Sequence, residues 1–283
     1  MALGPFYFKQ KAREALRGNW QNALVITFFS GIFLTLCGVL QTLWLPDPVL
    51  YASYGLYDRF FEDLAAVTQG KWTVMAVANI LTLMFSPALA LGCNRYFLRL
   101  IRKEETGVSD GLLGRMRIWP KALWLYVLMG LRIFLWSLLL VVPGILAAIR
   151  YSMAPYFMAQ DPGISATEAI EKSKRAMGEM KMAYFVLRLS FIGWSLLANV
   201  AQMLLSSFGV IISLVAAQFM QVAITAYLNG ACAAFFLTVS SQSGMSDARR
   251  EMRQHMRQMG MDEDAINRAG LGDEPRDETE DGE

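Results

Sequence analysis

The sequence predicts an all-α membrane protein, a polytopic helix bundle of about six spans in three hairpins with amphipathic helices on the cytoplasmic side. Three observations carry that prediction. Of 283 residues, 55% are hydrophobic and 18% charged, against about 45–50% and about 25% in ordinary soluble domains. Mean hydropathy is +0.35, and the apolar residues gather into runs of the ~20 residues that cross a hydrocarbon core about 30 Å thick. Positive charge alternates between connections, as the positive-inside rule requires. The same composition excludes a disordered chain and a disulfide-stapled secreted domain. With 26 basic and 24 acidic residues, the net charge of +2 excludes a nucleic-acid binder recruited by bulk charge.

Residues 1–19 carry Lys9, Lys11, Arg13 and Arg17 and read as a cytoplasmic amphipathic segment. The first span, Ala23–Leu45, contains no charge. It is longer than the about 7–15 residues of a signal-peptide core and no small-residue cleavage site follows, so it is expected to be retained. In the next loop, Tyr51, Tyr54, Tyr57, Phe61 and Leu64 recur at helical spacing beside acids, which predicts an outer interfacial helix. Trp72–Arg95 is the second span, with Pro87 as a tolerated kink.

Lys121 to Gln160 is an apolar stretch of 40 residues, too long for one span. Pro143-Gly144 punctuates it, which predicts a tight hairpin turn over Val142–Ile145. The third span is then Lys121–Val142, and the fourth, Ile145–Ala159, is short at about 22 Å. Ala183–Leu205 and Val210–Val239 are the fifth and sixth, joined by Ser206–Gly209. Residues 20–245 thus form the membrane domain, and 246–283 a cytoplasmic helix followed by a disordered acidic tail. Ala226, Gly230 and Ala234 make a small-residue face that predicts close helix packing.

Charge placement supports this order. With both termini cytoplasmic, the inner segments hold 21 basic residues and the outer loop only Arg59 and Lys71. Trp20 and Trp119 then lie at the inner surface, and Trp44 and Trp72 at the outer one.

Short segments after the even-numbered spans resemble one another: Gly107-Val108-Ser109-Asp110, Gly163-Ile164-Ser165-Ala166 and Gly244-Met245-Ser246-Asp247. Each is expected to end one helix and cap the next, Ser165 with Glu168 as a capping box. The helix opened by Ser165, Ala166–Lys181, carries Ile170, Met177 and Met180 among charges and is expected along the inner surface. Ser246 is expected to open a helix containing Met252, Met256 and Met259. Gly107–Gly111 also fits a Gly-X-Ser-X-Gly pattern, but a nucleophile elbow needs a preceding strand and a His base. The single histidine, His255, lies in the polar tail, and Cys37, Cys93 and Cys232 sit inside apolar runs as packing residues. No metal or cofactor motif emerges, and no enzyme is expected.

Three basic residues remain inside the spans, Arg132, Arg150 and Arg188, and no Asp or Glu accompanies them there. Counted from the cytoplasmic ends, Arg132 and Arg150 lie about 16 Å deep and Arg188 about 10 Å. An intramembrane arginine costs about 2.5–3.5 kcal/mol at the helix centre. Either the side chains snorkel to the headgroups, or they line a pocket for a phosphate or carboxylate. Guanidinium geometry suits the second role. The expected site is therefore Arg132, Arg150 and Arg188, with Tyr151 as a hydrogen-bond donor at its rim.

Pro143-Gly144-Ile145, Arg150-Tyr151-Ser152-Met153-Ala154-Pro155, Ala169-Ile170…Ser173…Met177-Gly178 and Leu189-Ser190-Phe191-Ile192-Gly193-Trp194 occur in this order. With these blocks the chain resembles an uncharacterised family of bacterial integral membrane proteins over roughly Phe6 to Ser240. That family is distantly similar to the membrane domain preceding some glycerophosphodiester phosphodiesterases. No phosphodiesterase domain is present, so the resemblance implies a stand-alone membrane bundle and supplies neither substrate nor site residues.

The sequence therefore leads to a non-enzymatic protein of the cell membrane whose partners are membrane lipids, anionic ones foremost, and not nucleic acid. It binds or moves an anionic lipid or amphiphile at the cytoplasmic leaflet. The alternative is a ligand-free scaffold or accessory subunit acting through its cytoplasmic helices.

Overall fold

The computed structural model describes residues 4–178, 180–205, 207, 209–259 and 262. Among them helix is the only regular structure, and no strand occurs. Five helices are long and apolar enough to cross a membrane, or six if one bent pair counts as a span, which fits a multi-pass membrane protein. The chain divides into two units, Met1–Phe236 and Leu237–Glu283.

In the first unit, α1 (Pro5–Leu16) opens with Pro5, whose missing N–H costs nothing in a first helical turn. This helix does not lie free at a surface. Phe8, Ala12 and Leu16 are fully buried, and a β-carbon on Gly230 would sit 3.3 Å from that of Ala12. Gly230, at the middle of the small face of Ala226, Gly230 and Ala234, thus lies against α1. Tyr227 donates to the Lys9 carbonyl at 3.1 Å, and the Lys9 ammonium stands 4.7 Å from the centre of the Phe191 ring.

The first span is broken. Helices α2 (Trp20–Ser30) and α3 (Ile32–Trp44) meet at an angle of 58° around Gly31. A Ser-Gly pair is a common cause of such kinks, and here the Ser30 hydroxyl donates to the Thr27 carbonyl at 2.8 Å. The loop after α3 folds as two short helices rather than one, α4 (Pro48–Ser53) and α5 (Tyr57–Ala65), because Gly55 adopts φ +67° between them. The Tyr51 hydroxyl donates to Asp63, which raises its pKa above the ordinary tyrosine value. Tyr54, Tyr57 and Phe61 remain exposed.

Helix α6 (Gln69–Ile101) runs unbroken through Pro87. It is antiparallel to α3, with Phe85 stacked on Phe33 and Thr82 3.2 Å from Cys37. The short helix α7 (Val108–Leu113) follows, with Gly107 at its N-cap. Ser109 therefore lies inside α7 instead of capping it. The helix backs so closely onto α6 that a β-carbon on Gly92 would overlap the Gly111 carbonyl.

The next hairpin turns at Leu140, extended at φ −164° and ψ 151°, and not at Pro143-Gly144. Helix α8 (Trp119–Leu139) ends before it, and α9 (Val141–Tyr151) starts after it with Pro143 in its first turn. Backbone N–H groups of a first turn have no helical partner, so proline belongs there more readily than in the turn. Gly144 serves close approach, because a β-carbon on it would overlap the Ser137 hydroxyl. With α10 (Ala154–Gln160) the returning arm covers Val141–Gln160, 20 residues, a full span rather than a short one.

Helix α11 (Ala166–Ala176) is N-capped by Ser165, whose hydroxyl accepts from the Glu168 N–H at 3.2 Å. The Glu168 carboxylate in turn accepts from the Ser165 backbone N–H, the reciprocal half of the capping box. Glu168 also pairs with Lys172 at 2.9 Å, and that pair is the main reason its carboxyl lies below the usual range. Ile170 and Met177 are fully buried inside the protein, so the apolar face expected to meet lipid headgroups packs on the bundle. Ser173 ties it there, donating to the Arg150 carbonyl at 2.7 Å and accepting from the Met153 N–H at 3.2 Å. These bonds satisfy backbone groups where α9 gives way to α10.

Helix α12 (Lys181–Leu205) and the first part of α13 (Val210–Gln258) run antiparallel, Tyr184 meeting Phe235 and Phe191 meeting Tyr227. Of their connection, Ser206 and Phe208 lie outside the described residues.

The second unit contains the rest of α13, whose backbone stays helical through Gly244, Met245 and Ser246. No new helix opens at Ser246. One glycine costs a helix only about 1 kcal/mol, and Met, Ala, Arg, Glu and Gln follow it. Met245, Met252 and Met259 are exposed. The acidic stretch Asp273–Glu283 lies outside the described residues.

Candidate functional site

Contacts at both ends set the register between α8 and its returning arm. Gly144 lies against Ser137 near the turn. At the other end, the Lys121 ammonium reaches the Pro162 carbonyl at 3.5 Å. Equal rise on both helices then puts Arg132 opposite Ile149 and Arg150. Two arginines predicted from sequence thus stand at one level of one hairpin. Both are half-buried. Among the described residues, neither side chain has an ion-pair partner.

Arg188 belongs to a different cluster. Its guanidinium lies 6.0 Å from the centre of the Tyr184 ring, with Cys232 and Tyr156 alongside. Tyr184, Tyr156 and Cys232 are buried, whereas Arg188 is exposed. No contact joins it to Arg132.

Tyr151 sits in the apolar core rather than on a rim. It is 8% exposed and packs with Ala122, Leu125, Ala147, Ala154 and Met158. It follows Gly144 and Ala147 on the face of α9 that looks inward, and that position decides its burial.

A second cationic cluster was not anticipated. Asp110 on α7 pairs with Arg99 and lies 3.9 Å from Arg95, both on α6. Arg99 also contacts Glu104 at 3.2 Å. Arg115 is only 8% exposed. It directs Nε, at 3.2 Å, and one terminal nitrogen onto a single acceptor, the Ala159 carbonyl at the end of α10. Arg95 and Arg99 are four apart, so they share a helix face. That spacing was the available signal, but Asp110 on α7 and Arg115 just after it reach the same place only through the close approach of α7 to Gly92. Among the described residues, no group of three or more His, Cys, Asp or Glu could hold a metal ion.

Comparison with known proteins places the returning arm of this hairpin within a recognised family model, while Arg132 and most of α8 precede the match. Residues 137–243 match the one described as "Protein of unknown function (DUF975)". The chain thus carries a domain of an uncharacterised family, and α9 to α12, with Arg150 and Arg188, lie within the match. No curated protein and no solved structure matches the chain.

Proposed function

We propose that the protein is a non-enzymatic, multi-pass component of the bacterial cell membrane, with both termini cytoplasmic. It binds or moves an anionic lipid or amphiphile at the cytoplasmic leaflet. Its spans form three hairpins, an arrangement supported by the antiparallel contacts of α3 with α6, α8 with α9 and α12 with α13. The orientation rests on the 21 basic residues of one set of connections against two of the other.

One observation carries the reading. Arg132 and Arg150 share a level of one hairpin, half-buried, with no carboxylate in any span. Two guanidiniums at one level of a hairpin are suited to hold one anion between them. A phosphate or carboxylate accepts bidentate bonds from both. Snorkelling relieves one arginine at a time and does not account for the shared level. The test is the lipid that co-purifies with the protein. Arg132→Gln with Arg150→Gln is expected to strip anionic phospholipid selectively and leave zwitterionic lipid unchanged. An unchanged lipid profile would sink the reading.

The alternative, a ligand-free scaffold, draws on α13. Met245, Met252 and Met259 stand exposed at seven-residue steps on it, a pattern suited to a partner helix. That reading predicts no dependence of bound lipid on Arg132 or Arg150.

A further inference from the structure

We propose that Arg95, Arg99 and Arg115 form a phosphate-binding site at the end of α6, where the Asp110 carboxylate stands in for the ligand's anionic oxygens. The inference does not rest on the reading of Arg132 and Arg150. Arg150 is nine residues from Ala159, about 13 Å further along the returning arm.

The charges do not balance around Asp110. Its single carboxylate spans Arg95 and Arg99, and Arg115 lies close enough to Arg95 for their charges to repel. Glu104 pairs with the Arg99 Nε at 3.2 Å and lies 4.0 Å from Arg102, so it is shared between those two. Asp161 is the other acid near Arg115.

Arg115 is the unusual member. A guanidinium with 8% exposure has five N–H donors to satisfy, and its only acceptor among the described residues is the Ala159 carbonyl. Its other terminal nitrogen makes no hydrogen bond among the described residues and is not sealed from solvent, so it is open to a ligand oxygen. Burying a charge with one neutral acceptor is costly unless an anion completes the shell.

The cluster is also open to a ligand. The side chains of Arg95, Arg99 and Asp110 are 29%, 33% and 38% exposed, and the two arginines lie within the last two turns of α6, a helix long and apolar enough to cross a membrane. A phosphate offers several acceptor oxygens to forked guanidiniums, where a carboxylate offers two. The ligand is therefore a phosphate group, carried by a phospholipid or free in solution.

The experiment measures thermal unfolding of the full chain in phosphatidylcholine nanodiscs at constant ionic strength. Inorganic phosphate is titrated against chloride, and a parallel set contains phosphatidylglycerol. Wild-type protein is expected to unfold at a higher temperature with phosphate or with phosphatidylglycerol. A response to the lipid alone assigns the site to a headgroup, and a response to both assigns it to the phosphate group in general. Asp110→Asn, which removes the competing carboxylate, is expected to bind phosphate about tenfold more tightly. Arg99→Gln and, independently, Arg95→Gln are expected to lose the response. A cluster that only clasps α6 to α7 gives another result. Asp110→Asn would lower the unfolding temperature with no recovery from either anion, or the arginine variants would respond like wild type, and either outcome overturns the proposal.

Discussion

Thr27 illustrates what a single side chain contributes to this bundle. It is 5% exposed, and its buried hydroxyl has no oxygen or nitrogen partner among the described residues, only the weakly bonding Cys93 sulfur beside it. An unsatisfied buried hydroxyl costs about 1–3 kcal/mol, and valine has the same shape without it. Thr27→Val is therefore expected to stabilise the protein by about 1 kcal/mol, read as a higher unfolding temperature in detergent. A lower temperature would mean that the hydroxyl has a partner. At this scale the sequence was partly legible. A cation inside an apolar run is conspicuous, so Arg132, Arg150 and Arg188 were identifiable from their surroundings alone. Their grouping was not, because helix rotation sends Arg188 toward Tyr184 and register brings Arg132 level with Arg150. Tyr151 was misplaced for a related reason. A tyrosine next to an arginine in sequence lies about 100° around the helix from it, and here that rotation takes it into the core.

At the scale of elements, hydrophobic runs located the spans well and their ends poorly. Pro143-Gly144 suggested a turn, yet proline is equally at home in a first helical turn, and only the extended Leu140 separates the two cases. The amphipathic α11 met a similar ambiguity. Its pattern of Ala, Ile and Met among charges is the same whether the apolar face meets lipid or protein, and Ser173, bonded to the α9–α10 junction, settles the matter in favour of protein. Glycines at close approaches follow from packing that no local pattern records. Gly92 faces a backbone carbonyl of α7, which cannot swing aside as a side chain does. Gly92→Ala is expected to destabilise the protein by about 1–3 kcal/mol and to loosen α7. The check is faster proteolysis between α6 and α8 together with a lower unfolding temperature. Proteolysis at the wild-type rate would show that the two helices separate without cost.

For the whole molecule, the net charge of +2 conceals a partition that single-cysteine labelling in intact cells tests directly. The native Cys37, Cys93 and Cys232 are buried, so they add little background. Cysteines at positions 54 and 140 are expected to react with a membrane-impermeant reagent from outside, and those at 104 and 167 only after the membrane is opened. Labelling of 140 and 167 from the same side would dismantle the hairpin on which the arginine level depends.

The most direct measurement of the central claim is a native mass spectrometry titration of the purified protein with phosphatidylglycerol and phosphatidylcholine. It compares wild type, Arg132→Lys with Arg150→Lys, and Arg132→Gln with Arg150→Gln. Wild type is predicted to retain phosphatidylglycerol in clear preference to phosphatidylcholine. The lysine pair, which keeps charge but loses the fork, should fall between wild type and the glutamine pair, and the glutamine pair should show no preference. Equal retention of both lipids by all three proteins would contradict the account.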